Sequence, residues 1–299
     1  MSQCEYCFEL IDKDIIDEHM MICYKEQTEL LNSCENRIKV VEDKPQISNT
    51  QIKAIEYCFK KSKLFSKNVY KNLLARFQFK GHTKNDLNQV VKFIKKNIRI
   101  IIHVNLDSCL QYLIKDDHYR NQFETNRSHG TLSSSARMVW ENNLFNNIYH
   151  KDIDGGERVK YGTINITNDP LGVTKCYGYG DSYLILKDNV KTRCSFIMGD
   201  SCAMDIHLCT FKYFNSILLF LKDEALDDVI DVSLGKATSR SSNSLHHYIE
   251  AQIHGPIKLS RDVELLVANS KYRNNIGMIN NLHLFSMNHG VSYKFNDEL

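Results

Sequence analysis

Two hydrophobic rhythms run along the chain, and one gives way to the other near Asn97. Before it, apolar residues recur at helical spacing. The stretch from Tyr24 to Val41 reads as helix, and EDKPQISNT then breaks the pattern with Pro45, Ser48 and Asn49. A further helix carries Val90, Val91, Phe93 and Ile94 behind a T-x-x-D start at Thr83. After Asn97, short apolar runs bounded by polar loops predict strands at RIIIHV (99–104), YGTINI (161–166), SYLILK (182–187), CSFIM (194–198), HYIEAQIH (247–254) and ELLVAN (264–269). Helices are expected over 108–115 and 211–222. Helices first and strands later imply an α+β fold with a largely antiparallel sheet behind a helical layer.

Composition adds little to this picture until charge is placed along it. Hydrophobic residues make up 42% and charged residues 25% of the chain, as in a folded protein, and the net charge is only +2. Lys60–Arg99, however, holds twelve basic residues against the single acid Asp86, interleaved with Tyr70, Phe77, Phe79 and Phe93. Such a block fits either a nucleic-acid surface, with phosphates on lysines and bases on rings, or a helical layer with lysines in water and aromatics in the core. The core-like spacing of Val90, Val91, Phe93 and Ile94 favours the helical layer.

The first residues carry metal chemistry. Cys4, Cys7, His19 and Cys23 read C-x2-C-x11-H-x3-C. A tight C-x-x-C turn supplies two ligands, and a His and Cys one helical turn apart converge on the same ion, the tetrahedral sulfur and nitrogen set that zinc prefers. A segment this short has little apolar filling, so metal binding would also be its folding energy. The arrangement resembles the Cys-Cys-His-Cys ubiquitin-binding fingers of DNA-repair proteins, which implies ubiquitin or a ubiquitinated protein as partner. Those fingers often carry an acid two positions after the histidine, where this chain has Met21. A finger that only caps its neighbour fits the same residues.

The opening MSQCEYCFEL shows no basic segment followed by an apolar run, and no apolar stretch is long enough to span a membrane. Ten cysteines scattered without such a leader read as reduced thiols. The expected compartment is cytoplasmic or nuclear.

From about Arg99 onward, the blocks YRNQFETNRSHGTL (119–132), VWENNLFNNIY (139–149), ERVKYGTINI (157–166), YGDSYLILKDNVKTRCSFIMGDS (179–201) and YIEAQIHGPIKLSRDVELLVANSKYR (248–273) resemble the family catalogued as domain of unknown function 3626. Some of its members look distantly like ADP-ribosyltransferases. That resemblance implies NAD as substrate, Glu250 as the catalytic carboxylate on a late strand, His103 at the end of the first strand, and Thr125 and Ser128 in the second element. The residues themselves add Tyr161, which with Gly162 begins a strand that a ligand can approach closely, Arg193 in a turn, and Gln252 on the face of Glu250 as candidates for binding the nucleotide. Where the family's first strand resembles His-Phe-His-Pro-Asp-Arg, this chain has His103-Val-Asn-Leu-Asp-Ser108 and so lacks that arginine.

The residues support parts of this expectation independently. Breaking a nicotinamide–ribose bond generates an oxocarbenium-like cation that a fixed carboxylate stabilises. Strand alternation places Tyr248, Glu250, Gln252 and His254 on one face, a polar row that a half-solvated strand would also produce. In RCSFIMGDS, Arg193 is expected either to face a phosphate or to pair with Asp200. Trp140, Phe145 and Tyr149 read as core. No G-x-G-x-x-G or G-x-x-x-x-G-K-[ST] motif occurs, which removes Rossmann and P-loop chemistry. Cys202 near His207 is a non-diagnostic thiol–base pair, and His246, His247 and His254 cannot share one strand face.

Three parts are expected: a finger over 1–30, a basic helical connection over 31–98, and a domain over 99–299. The leading functional expectation is an NAD-dependent ADP-ribosyltransferase-like enzyme targeted by the finger. The alternative is a non-enzymatic nucleotide- or protein-binding module with a structural finger.

Overall fold

The computed structural model describes residues 2–3, 10–11, 44–126, 133–202 and 207–299. The chain divides into two units, Met1–Lys44 and Pro45–Leu299. In the first, strands β1 (Ser2–Gln3) and β2 (Leu10–Ile11) pair antiparallel. The metal-ligand set Cys4, Cys7, His19 and Cys23 and the helix expected over 24–41 lie outside the described residues.

The second unit opens with three helices, α1 (Asn49–Phe65), α2 (Val69–Phe79) and α3 (Lys84–Asn97). Ser48 caps α1 and Thr83 caps α3, each within a full capping box, so the T-x-x-D start is realised with Asp86 reaching back to the Thr83 N–H at 2.7 Å. Leu73, Phe77, Leu87, Val90 and Ile94 are fully buried, and Tyr70 and Phe93 pack against the same core. Phe79 alone of the four interleaved aromatics is largely exposed, at 91%. Arg76 binds the backbone carbonyls of Leu218 and Leu221 and the Asp223 carboxylate, Lys80 pairs with Asp227, and Arg99 pairs with Glu264. The aromatics thus mostly face inward and some of the charge is neutralised within the unit, as a helical layer requires.

Eight strands form one sheet in the order β12-β11-β6-β3-β5-β9-β7-β8. These are β3 (Arg99–Val104), β5 (Lys160–Asn165), β6 (Ser182–Leu186), β7 (Cys194–Met198), β8 (Leu208–Thr210), β9 (Ile249–Ile253), β11 (Val263–Ala268) and β12 (Ser292–Phe295). Every pairing is antiparallel except β11 with β12. The fold is α+β with a largely antiparallel sheet. A separate ribbon joins β4 (His118–Tyr119) to β10 (Ile257–Lys258), which is followed by the short helix α8 (Leu259–Asp262).

The two sheet faces differ in chemistry. One carries Ile100, Ile102, Ile164, Leu184, Phe196, Ala251 and Ile253 into the main core, together with α2, α3, α4 (Leu106–Lys115), α7 (Asp223–Ser233) and α9 (Ile276–His289). The other bears two smaller apolar clusters, one around Cys58, Phe145, Tyr149 and Ile197 and one around Ile101, Val173, Cys176 and Tyr183. Polar side chains occupy the space between them. All five residues of β9 are buried, so its alternation does not come from a half-solvated strand; both faces are covered.

Two further expectations are corrected. The segment expected as a helix over 211–222 is a 3-10 run, Phe211–Phe220, kinked at Tyr213. Its side chains at 213, 214, 217 and 218 are buried on more than one side, so packing rather than helical periodicity sets the backbone. Arg193 binds the His254 carbonyl at 2.5 Å and Asp262 at 3.1 Å, not Asp200.

The sheet forks at its centre. β3 pairs with β5 only through Arg99–Ile101. Beyond that point Ile102–Val104 continue along β6, while Lys160–Gly162 continue along β9. Gly162 stands at the root of the fork, where a Cβ would lie 2.8 Å from the Ile101 carbonyl oxygen. Glycine is therefore required by close backbone approach at this position.

Candidate functional site

The fork opens into a cleft of about 880 Å³, within the roughly 300–1,000 Å³ of small-molecule sites. Its floor is the parted ends of β3 and β5 with Glu250 of β9. Helix α6 (Ser134–Leu144) forms one wall, and its position is fixed by a buried ion pair. Glu141 accepts from Arg158 at 2.6 Å and from the Tyr161 hydroxyl at 3.1 Å. Arg137 and Trp140 lie four and one residues before Glu141, on the adjoining part of the helix surface, and both line the cleft. The 3-10 segment Thr174–Tyr179 forms the opposite wall with Cys176 and Tyr179. Gly180 ends it with φ +140°, and a Cβ there would sit about 2 Å from the Val104 backbone, so no other residue lets this wall approach β3 so closely.

Glu250 is 6% exposed. Gln252 Nε2 donates to its Oε1 at 2.8 Å, and Ser201 also hydrogen-bonds the carboxyl. Burial is the strongest influence on its proton and raises its pKa. The neighbouring Asp200 charge raises it too, while the Gln252 and Ser201 bonds pull it down; the net result is about 8. The carboxyl is therefore largely protonated at neutral pH. Asp200 itself accepts from the Tyr248 hydroxyl at 3.0 Å and from the Cys202 N–H at 3.0 Å.

The other expected site residues divide into two groups. Thr125 and Tyr161 line the cleft with Glu250, as does His103. Thr125 ends the short helix α5 (Gln122–Thr125), its hydroxyl donating to the Asn121 carbonyl. His103 binds backbone through both ring nitrogens, with Nδ1 2.8 Å from the Gly180 carbonyl and Nε2 accepting the Val173 N–H at 3.0 Å. Burial lowers its pKa to about 4, which keeps it neutral, and its hydrogen bonds fix the Nδ1–H tautomer. Gln252 is fully buried behind Glu250 rather than on the cleft surface. Arg193 lies outside the lining, held as described above. Ser128 falls outside the described residues.

Several wall residues were not anticipated from the sequence. Trp140, read as core, is half-buried and faces the cleft, whereas Phe145 and Tyr149 are fully buried as expected. Arg137, Tyr112, Tyr119 and Tyr179 also face it. Outside the cleft, His207 Nε2 bonds Ser216 at 2.7 Å and its ring stacks on Phe220, so its hydrogen bonding serves the fold rather than Cys202. Asp116, Asp117 and His118 cluster near the cleft mouth, but Arg120 holds Asp116 bidentately and His118 bonds Asp117.

The forked α+β sheet with its central cleft and buried carboxyl is the architecture that any family assignment has to fit. The family model described as protein of unknown function (DUF3626) matches residues 102–240 and 231–293, and the chain belongs to that family. The match includes the whole β3–β5 fork beyond Ile101, and Glu250. No curated protein matches the chain. Among the described residues, no helix is long and apolar enough to cross a membrane.

The raised pKa of Glu250 links its proton to folding. Its ordinary value is 4.5 and its folded value about 8, so its contribution to stability is complete below about pH 4.5 and is lost as pH rises toward 8. Glu250→Gln has no proton to lose there. Its melting temperature relative to wild type is expected to rise by several degrees between about pH 5 and about pH 8. Thermal denaturation across this range checks the expectation, and a difference independent of pH contradicts it.

Proposed function

We propose that the Pro45–Leu299 unit is an NAD-dependent ADP-ribosyltransferase-like enzyme, with Glu250 as its catalytic carboxylate and NAD as its substrate. The observation that carries this reading is the setting of Glu250, a buried carboxyl at the root of a cleft large enough for a nucleotide and walled by Tyr161, Tyr179, Tyr248 and Trp140. Aromatic rings offer flat apolar faces to a base or a nicotinamide ring. The substrate chemistry supplies a reason for a carboxyl with a raised pKa. The nicotinamide ring of NAD is cationic, and a positive ring beside Glu250 favours loss of its proton, so the anion forms when the substrate is in place. As the C1′–N bond breaks, the electron pair leaves with nicotinamide and positive charge appears on the ribose, where the carboxylate stabilises it. An acceptor nucleophile then bonds C1′ and releases a proton.

The N-terminal segment is proposed to be a zinc finger built on Cys4, Cys7, His19 and Cys23 that directs the enzyme to a protein partner. The four residue types and their spacing support a single structural zinc. Metal analysis of the native protein is expected to find one zinc per chain, lost on Cys4→Ser; native protein without zinc contradicts it.

A second reading, a nucleotide-binding module without turnover, is favoured by one observation. Both ring nitrogens of His103 are engaged by backbone, and with Ser108 in the first turn of α4 in place of an arginine, the first strand and the helix after it have little left with which to hold a ribose or phosphate.

Labelled NAD and a cell lysate separate the two. The enzyme is expected to transfer label, with Glu250→Gln reducing the rate about 100-fold or more. The rate at low NAD is expected to rise with pH up to about 8, because the free enzyme must lose the Glu250 proton. Absence of transfer and of NAD consumption under all conditions, with binding retained, supports the module instead.

A further inference from the structure

Behind Glu250 a row of buried polar side chains runs away from the cleft into the protein. Its members are Gln252 of β9, His254 just after it, Ser195 of β7 and Tyr149 after α6, each less than 2% exposed. Gln252 lies directly across from Ser195 in the sheet, so their side chains share a face with Glu250.

The donors in this row can be assigned from the cleft inward. Gln252 turns its Nε2 to Glu250 at 2.8 Å, so its Oε1 faces Ser195 Oγ, also at 2.8 Å, and must accept the serine proton. Having donated its only proton, Ser195 Oγ is left as an acceptor for His254 Nε2, at 3.4 Å. Burial, and to a smaller degree Arg193, lower the His254 pKa to about 3, so the ring is neutral. With its proton on Nε2, Nδ1 is bare and accepts from the Tyr149 hydroxyl at 2.7 Å. Every hydrogen bond therefore points the same way, and the row ends on a carboxyl oxygen.

We propose that Tyr149, His254, Ser195 and Gln252 form a one-way hydrogen-bond relay that orients Glu250 and favours its ionised form, making these four residues positioning residues for the cleft carboxylate. Each bond polarises the next, so the final donor to Glu250 is stronger than an isolated glutamine. The relay opposes the burial of Glu250 and the charge of Asp200. The assignment of a functional role rests on Glu250 being the working group of the cleft, but the effect on its proton does not require turnover.

Other groups also face this row. Around Glu250 stand Tyr161 of β5, Tyr248 just before β9, Asp200, Ser201 and Cys202 after β7, and Cys176 and Tyr179 of the cleft wall. Along the relay, the Cys58 thiol of α1 meets Ser195, Arg193 lies near His254, and Glu141 and Arg158 lie near Tyr149. All of these remain when one relay member is changed, so a shift in the Glu250 proton on such a change reports the relay.

The test is an infrared pH titration of the full-length protein, with the Glu250 carboxyl band identified by its disappearance in Glu250→Gln. Removing a donor that favours the anion raises the pKa. Gln252→Leu, which removes the direct donor, is expected to increase proton affinity about tenfold, and Ser195→Ala about threefold. Tyr149→Phe, which deletes only a hydroxyl, is expected to act in the same direction and more weakly, while Ser195→Thr titrates as wild type. If Gln252→Leu or Ser195→Ala does not fold, Tyr149→Phe against wild type decides. An unchanged Glu250 titration in the folded variants overturns the relay. Shifted titrations in a protein that never consumes NAD leave the relay standing and remove the enzymatic reading. Turnover lost in Glu250→Gln without shifted titrations in the relay variants does the reverse.

Discussion

The parting of β3 from β5 is the constraint on which the rest of the larger unit depends. A continuous sheet would bury both strands along their whole length and leave no room at its centre. Pairing instead stops at Ile101 and Thr163, and each strand keeps its hydrogen bonds by following its outer neighbour. The backbone groups facing the opening are then available to water or a ligand without isolating buried donors elsewhere. Gly162 permits the close approach at the root of the fork, and the Glu141–Arg158 pair holds α6 along its margin. Removing either partner of that pair would leave a buried charge, a penalty of about 3–5 kcal/mol, so the wall carrying Arg137 and Trp140 is held by electrostatic necessity.

The contrast between the sheet faces explains how such a site can be sustained. The apolar face, with its helices on the outside, provides the continuous core, and the opposite face is left to carry polar side chains between two small apolar clusters. Buried polar groups are costly unless bonded, and here they are bonded largely to one another: Thr163 to the Ile249 carbonyl, Gln252 to Ser195 and Glu250, and His103 to two backbone groups. Glu250 differs from these. It holds its proton at neutral pH with a pKa of about 8, so a positive ligand charge at the cleft can tip it to the anion.

Much of the fold was legible because its strands are short apolar runs with polar ends. CSFIM emerges as Cys194–Met198, RIIIHV as Arg99–Val104, and the Thr83 cap is present. The two strands of the large sheet that escaped notice, Leu208–Thr210 and Ser292–Phe295, are its edges and are too short or too polar for alternation to stand out. Helix α9, Ile276–His289, is nearly as apolar outside as in, with Leu284 and Met287 exposed, so it presents little periodic contrast. At the site, Glu250 was reached through the family resemblance and as one of a polar row with Tyr248, Gln252 and His254 on one face of an alternating strand. The partner of Arg193 did not, because Asp200 is near it in sequence while Asp262 comes to it only through the fold. Trp140 posed the opposite difficulty: its residue type suggested core, and only the fork gives it a cleft to face.

Hydrogen exchange of the full-length protein with and without NAD tests the central claim most directly, because it asks where a nucleotide sits without requiring turnover. Slowed exchange is predicted in the segments that form the fork and its walls, residues 102–113, 118–126, 161–163 and 199–202, with the surface of α1–α3 unchanged. Slowing confined to residues 49–97, or none at saturating NAD, would contradict the account.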